Sequence, residues 1–74
     1  MTFAANHNRC TLQVNADPRD LEKLDNLLEE ARVQRTVAAG NPKTSTSVIY
    51  HLPHENEVMK AEGVLEAADS LMNE

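Results

Sequence analysis

The sequence contains few cysteines, which can cross-link a small domain, and few aromatic residues, which can fill its core. Cys10 is its single cysteine, so a disulfide within one chain is excluded, and no zinc-binding spacing is present. Phe3 and Tyr50 are its only aromatic residues, whereas nine of the 74 residues are alanine. Aromatic rings usually contribute much of the buried area of a core, so this core is expected to be thin. Small domains of this kind commonly gain stability from a partner, and we therefore expect a homodimer.

Long apolar runs are also missing. No stretch approaches the ~20 apolar residues of a membrane-spanning helix. The N-terminus has neither the basic start nor the apolar segment of a secretory signal. A single cysteine in 74 residues fits a reducing compartment. We therefore expect a cytoplasmic protein that does not contact a membrane.

Residue constellations typical of catalysis are missing as well. No Ser-His-Asp or Cys-His spacing stands out, and two glycines cannot form a glycine-rich phosphate loop. His7, Cys10, His51 and His54 are candidate metal ligands, but their spacing matches no zinc signature. We interpret the histidines as ordinary surface residues, and we expect no enzymatic activity, no metal and no cofactor.

The net charge of −5 is concentrated at the C-terminal end of the chain. Residues 1–54 contain six acidic and six basic residues, whereas residues 55–74 contain six acidic residues and one basic residue, Lys60. An asymmetry of this kind concerns the partners of a protein rather than its fold. It directs attention to the C-terminal segment as a contact surface.

Two segments have the residue pattern of β-strands. Between residues 9 and 15, Cys10, Leu12 and Val14 alternate with polar residues, which is typical of a half-buried strand. Residues 45–52 are rich in β-branched side chains and predict a second strand. Residues 33–39 are compatible with either a frayed helix end or a short strand, and residues 1–8 show no period and predict a loose segment.

Two further segments have the period of amphipathic helices. Asp17 and Pro18 are favourable residues for a helix start, and the leucines that follow predict a helix from about residue 17 to about residue 32. Apolar residues at helical spacing from Val58 to Met72 predict a second helix over residues 54–72.

These elements predict a single α+β domain over residues 9–74, in the order β-α-(β)-β-α. The expected architecture is a small two-layer sandwich with both helices on one face of a two- or three-stranded sheet. The residues expected in the core are Leu12, Val14, Leu24, Leu28, Val48, Tyr50, Leu65 and Ala68. A sheet this narrow has open edges, and pairing two chains edge to edge would close one of them.

Four carboxylates of the second helix, which we call the acidic flank, fall beside its apolar stripe. They are Glu55, Glu62, Glu66 and Asp69. At about 100° per residue they lie within about 60° of one another, and they extend over about 21 Å. One interpretation is a solvated face that keeps the protein soluble. The other is a recognition surface for a basic groove, because a rigid row of carboxylates can imitate the phosphates of a nucleic acid.

The outward positions of the first strand are a competing candidate. They carry side chains of the kind that read base edges, namely Arg9, Thr11, Gln13 and Asn15. A polar alternating strand followed by Asp17-Pro18 and a leucine-rich helix resembles the opening of the ribbon-helix-helix repressors, over about residues 9–28. The resemblance implies a dimer whose two-stranded ribbon enters the major groove, with the first three of these residues reading bases. Nucleic-acid contact also requires positive charge, and this chain is acidic.

Two functions follow as hypotheses. The leading one is a small, non-catalytic, acidic protein that inhibits or modulates another protein with a basic surface through the acidic flank. Proteins of this size and charge include phage-borne inhibitors of host nucleic-acid machinery such as anti-CRISPR proteins. The layout with an acidic C-terminal helix is also similar to that of the DinI-like modulators of RecA. The alternative is a dimeric ribbon-helix-helix-like repressor or antitoxin that reads DNA with its first strand.

Overall fold

The chain forms six elements in the order strand, strand, helix, strand, strand, helix. The computed structural model describes residues 1–72, without the side chain of Met72. The elements are β1 (Thr2–Asn6), β2 (Thr11–Asn15), α1 (Pro18–Glu30), β3 (Thr36–Ala39), β4 (Ser47–His51) and α2 (Glu55–Met72). All paired strands are antiparallel, and their order across the sheet is β1-β2-β4-β3. The expected α+β class is confirmed, but the sheet has four strands rather than two or three.

The strand β1 is the main departure from the expected order, which treated residues 1–8 as a loose segment. Thr2–Asn6 instead pairs along its whole length with β2. Phe3 and Ala5 are partly buried and pack against the core, while the other three residues of the strand are exposed. Alanines on both faces hide this alternation in the sequence. The strand therefore depends on its pairing with β2, which no local pattern reports.

The core is formed by one face of the two central strands together with the apolar faces of both helices. Leu12 and Val14 of β2 lie opposite Tyr50 and Val48 of β4, and all four side chains are buried. The helices contribute Leu21, Leu24 and Leu28 from α1 and Val58, Ala61, Leu65 and Ala68 from α2. All eight predicted core residues are therefore confirmed as buried. One exposed face of the sheet remains opposite this core.

The helix α1 begins where the sequence indicates, but its N-cap residue makes no side-chain hydrogen bond to the first turn. Pro18 occupies the first turn, where the missing N–H has no helical partner to lose. Asp17 stands at the N-cap position, yet its side chain makes no capping hydrogen bond. Its backbone carbonyl accepts the N–H of Leu21 at 2.8 Å. Asp17 therefore contributes its backbone to the helix start and not its carboxylate.

The C-terminal end of α1 is closed by a Schellman motif, two residues earlier than the predicted end. Arg32 adopts a left-handed conformation with φ of 58°. Its N–H bonds to the carbonyl of Glu29 and the N–H of Val33 bonds to that of Leu28, both at 3.0 Å. The turn aims Val33 into the core, where it is 3% exposed. It also directs the chain towards β3.

The strand β3 resolves the ambiguity over residues 33–39. Thr36–Ala39 forms an edge strand on β4, with a register shift between Val37 and Ala39. Gly40 follows with φ of 81°, and a Cβ added there would stand 2.2 Å from the carbonyl oxygen of Ser47. Only glycine fits at position 40, because any side chain would collide with the backbone of Ser47.

The helix α2 matches its prediction closely, beginning at Glu55 instead of residue 54. The side chain of Met72 and residue Glu74, which the sequence assigns to the apolar stripe and to the acidic segment, lie outside the described residues. Gly63 has no atom within 4 Å of an added Cβ, so it does not mark a close approach to a neighbour within this chain. None of the described helices combines the length and the apolar character needed to cross a bilayer.

Candidate functional site

The acidic flank runs along the side of α2 next to the turn between β1 and β2. His7 of that turn lies between two of its carboxylates, with Nδ1 at 3.4 Å from Glu55 and Nε2 at 2.5 Å from Glu62. The side chain of Glu55 is 64% exposed, and that of Glu62 is 30% exposed. Glu66 is exposed and Asp69 is half-buried. The N-terminal half of the flank thus contacts the turn, while Glu66 faces solvent.

The position of His7 is set by a compact turn that the sequence pattern did not predict. The side-chain oxygen of Asn6 accepts the backbone N–H groups of Asn8 and Arg9 at 3.1 and 3.0 Å. Cys10 then takes a left-handed conformation with φ of 53° and returns the chain into β2. His7 is exposed, as expected of a surface histidine, and its ring also contacts two carboxylates of the acidic flank. No sequence signal links it to α2, because the two segments are far apart in the chain.

The second set of predicted site residues is divided between the turn and the open face of the sheet. Thr11, Gln13 and Asn15 of β2 point away from the core. Arg9 is exposed and lies in the turn before β2, so it is not part of the strand as predicted. Asn15 Nδ2 donates to Thr2 Oγ1 at 3.4 Å across the β1–β2 pair. Three of the four residues therefore share one surface.

The outward positions of the paired strands around these residues carry no formally charged side chain when histidine is neutral. Register places Gln13 between Ala4 and Ile49, and Thr11 between Asn6 and His51. The remaining outward positions of the sheet are Thr2, Asn15, Thr36, Ala39 and Ser47. A phosphate backbone is bound mainly by Lys and Arg, so this face lacks the side chains that supply most nucleic-acid affinity.

The ribbon-helix-helix resemblance does not extend to the fold. In that family the DNA-reading ribbon is formed between two chains, which requires a free edge on the first strand. Here both edges of β2 are paired within the chain, to β1 and to β4. That fold also has a second helix after the first, whereas α1 is followed here by the strands β3 and β4 (Ser47–His51). The β-branched residues of β4 fit a pleated sheet better than a helix.

A partly buried polar cluster, which sequence reasoning missed, joins α1 to Arg35 and to Tyr50 of β4. Arg35 Nη2 and Nε contact Asp25 Oδ1 at 2.8 and 3.3 Å, and Arg35 Nη1 contacts Glu29 Oε2 at 3.1 Å. Tyr50 donates its hydroxyl to Asp25 Oδ1 at 2.9 Å. The guanidinium carbon of Arg35 also lies 5.7 Å from the centre of the Tyr50 ring. One carboxylate oxygen of Asp25 thus accepts hydrogen bonds from both Arg35 and Tyr50, which is typical of a structural contact.

The charges of this cluster are fixed by their surroundings. Burial raises the pKa of the Tyr50 hydroxyl, and the hydrogen bond and negative charge of Asp25 raise it further. Burial by itself would lower the pKa of Arg35, but its hydrogen bonds and ion pairs with Asp25 and Glu29 outweigh that effect and raise it. Tyr50 is therefore neutral and Arg35 charged over the physiological range.

A metal centre is not assembled by the described part of the chain. Within residues 1–72, no three His, Cys, Asp or Glu side chains are arranged to hold a metal ion. His7 lies at the acidic flank, Cys10 donates a weak hydrogen bond to the carbonyl of His7 at 3.8 Å, and His51 is on the open face. Of the candidate ligands named from the sequence, Cys10 therefore lies beside His7, whereas His51 lies on the open face of the sheet.

Comparison with protein-family models, with curated proteins and with solved structures finds no match to this chain. A functional conclusion therefore depends on the geometry and chemistry of the surfaces described above.

Proposed function

We propose that the chain is a non-catalytic binding protein that uses the acidic flank of α2 to contact a basic surface on another protein. The observation that carries the proposal is the placement of Glu55, Glu62, Glu66 and Asp69 along one side of a single helix. That side adjoins the β1–β2 turn through the contacts of His7, and Glu55 and Glu66 on it are exposed. A helix holds such charges at fixed spacing, which favours a partner with a complementary charge pattern.

The proposal extends to inhibition of nucleic-acid machinery, in the manner of the phage-borne inhibitors to which anti-CRISPR proteins belong. The acidic flank spans about 21 Å, and each strand of a DNA duplex carries one phosphate about every 3.4 Å of helix axis. Carboxylates over that length can occupy a groove built for a phosphate backbone. The net charge of −5 would also speed association with a basic partner at low salt.

Binding to a lysine-rich peptide held on a surface tests the position of the contact. Glu66→Lys is the variant of choice because Glu66 is exposed, whereas reversing Glu62 would also break its contact with His7. We expect about threefold to tenfold weaker binding, equivalent to at most about 1.4 kcal/mol, since one exposed charge contributes modestly. Binding of the unchanged chain should also weaken as salt is added.

The matched control is Glu22→Lys, an identical charge change at an exposed position of α1. Glu22→Lys should bind the peptide nearly as well as the unchanged chain if the flank is a specific surface. Equal weakening by both variants would show that only net charge matters, and the acidic flank would then be a solubility feature. A gel-shift assay on duplex DNA tests the alternative, under which Arg9→Ala and Gln13→Ala should each abolish the shift.

A further inference from the structure

An apolar groove runs between α1 and α2, on the opposite side of α2 from the acidic flank. Two adjoining cavities of about 300 and 370 Å³ form it. Leu27 of α1 and Ala31, which directly follows that helix, line one wall, and the other is lined by Val64, Ala67 and Leu71 of α2. Leu27 is 38% exposed and Leu71 is 71% exposed. Two leucines that face one groove form a continuous apolar patch, which differs from the single exposed apolar residues common on protein surfaces.

The rim of this groove carries opposite charges at its two ends. Lys23 lies at the end near Leu71, and Glu30 lies at the end near Val64. Both belong to α1, seven residues and about 10.5 Å apart along the helix axis, with Leu27 between them. Neither is ion-paired with another of residues 1–72. The rim therefore presents Lys23, Leu27 and Glu30 in that order, and an antiparallel second copy would place its Glu30 opposite Lys23 and its Lys23 opposite Glu30.

We infer that the groove is occupied by a second copy of this chain, packed about a two-fold axis near Leu27. A two-fold contact uses the same patch on both subunits and runs α1 antiparallel to its counterpart. Lys23 then faces the partner's Glu30, and Glu30 faces the partner's Lys23. The leucines of each groove cover those of the other, and Ala31 and Ala67 leave room for close approach of the helices. This inference is independent of the proposed function.

The same structure disfavours the edge-to-edge dimer that the sequence suggested. The edge strand β3 has a register shift between Val37 and Ala39, and such irregularities obstruct pairing with another strand. The other edge, β1, packs next to α2. Pairing β1 with β1 of a second copy would bring two acidic flanks towards each other, and like charges repel. Packing through the groove instead leaves both acidic flanks open to partners.

Sedimentation equilibrium at micromolar concentration tests the assembly, which should have twice the chain mass of 8.2 kDa. Leu71→Ser should weaken dimerisation about tenfold or more, since each dimer loses two apolar side chains that line the groove. Met59→Ser is the matched control, because Met59 is also on α2 and 59% exposed but does not line the groove. It should leave the dimer unchanged.

Charge exchange tests the orientation of the two copies. Lys23→Glu alone should weaken the dimer about tenfold, equivalent to about 1.4 kcal/mol. In each of the two equivalent contacts, the new glutamate at position 23 would face Glu30 of the other copy, and the two like charges would repel. The double variant Lys23→Glu, Glu30→Lys should restore most of the dimer. A chain that remains monomeric overturns the inference, as does a dimer that responds equally to Leu71→Ser and Met59→Ser. Failure of the double variant to restore association also overturns the two-fold arrangement.

Discussion

Removal of the Asp25 carboxylate is the most informative perturbation of the fold, because one oxygen of that group joins α1 to both Arg35 and Tyr50. Oδ1 accepts hydrogen bonds from Arg35 Nη2 at 2.8 Å and from the Tyr50 hydroxyl at 2.9 Å. The side chain of Arg35 is only 10% exposed. Asp25→Ala would therefore leave a mostly buried guanidinium without its main counter-charge and a buried hydroxyl without its acceptor.

The size of the effect follows from the burial of the pair. Exposed ion pairs contribute about 0.2–1 kcal/mol, whereas breaking a fully buried pair costs about 3–5 kcal/mol. Asp25 is 30% exposed, and Arg35 keeps its bonds to Glu29 and to the carbonyl of Val33. We therefore expect Asp25→Ala to lower the unfolding free energy by about 2–3 kcal/mol.

Urea denaturation followed by far-ultraviolet circular dichroism measures this loss. The control is Glu29→Ala, which removes the other carboxylate in contact with Arg35, and Glu29 is 78% exposed. We expect Glu29→Ala to cost less than about 1 kcal/mol. A double-mutant cycle with Tyr50→Phe should show that the effects of Asp25 and Tyr50 are not additive. If Asp25→Ala costs no more than Glu29→Ala, the cluster is a surface feature and its assignment as a structural contact is refuted.

Three further predictions follow from the burial, titration and glycine geometry of the chain. Leu65→Ala should cost about 2–5 kcal/mol, because Leu65 is fully buried; a loss below about 1 kcal/mol in urea denaturation would contradict the assigned face of α2. Stability should fall above about pH 10, by up to about 1.4 kcal/mol per pH unit. The reason is that the raised pKa of Tyr50 lets the folded state keep a proton that the unfolded state loses. Tyrosinate absorbance reports this residue alone, since it is the single tyrosine, and Tyr50→Phe should reduce the slope; an unaltered slope would refute the assignment. Gly63→Ala should raise the unfolding free energy by about 1 kcal/mol, while Gly40→Ala should lower it, because only Gly40 has a positive φ and a backbone atom where a Cβ would stand. Thermal melts should therefore show a higher melting temperature for the first variant and a lower one for the second; changes in the same direction would contradict the reasoning.

Local periodicity in the sequence predicted the elements in which one face is buried and the other is exposed. Alternation around Leu12 and Val14 predicted β2, and helical spacing around Leu24 and Leu65 predicted α1 and α2 to within a few residues. Such patterns are readable because one face of each element is apolar and the other polar. The acidic flank followed from the same periodicity, since helical geometry alone places its four carboxylates on one side of α2.

Tertiary structure decided the features that depend on contacts between distant segments. The strand β1 exists through its pairing with β2, and the edge strand β3 through its pairing with β4, although all four residues of β3 are exposed. His7 meets the acidic flank, and Asp25 meets Arg35 and Tyr50, only after the chain has folded back on itself. The two glycines differ in the same way, because the space around each is set by neighbouring backbone. A residue pattern reports the period of one segment, whereas these contacts depend on the relative placement of several.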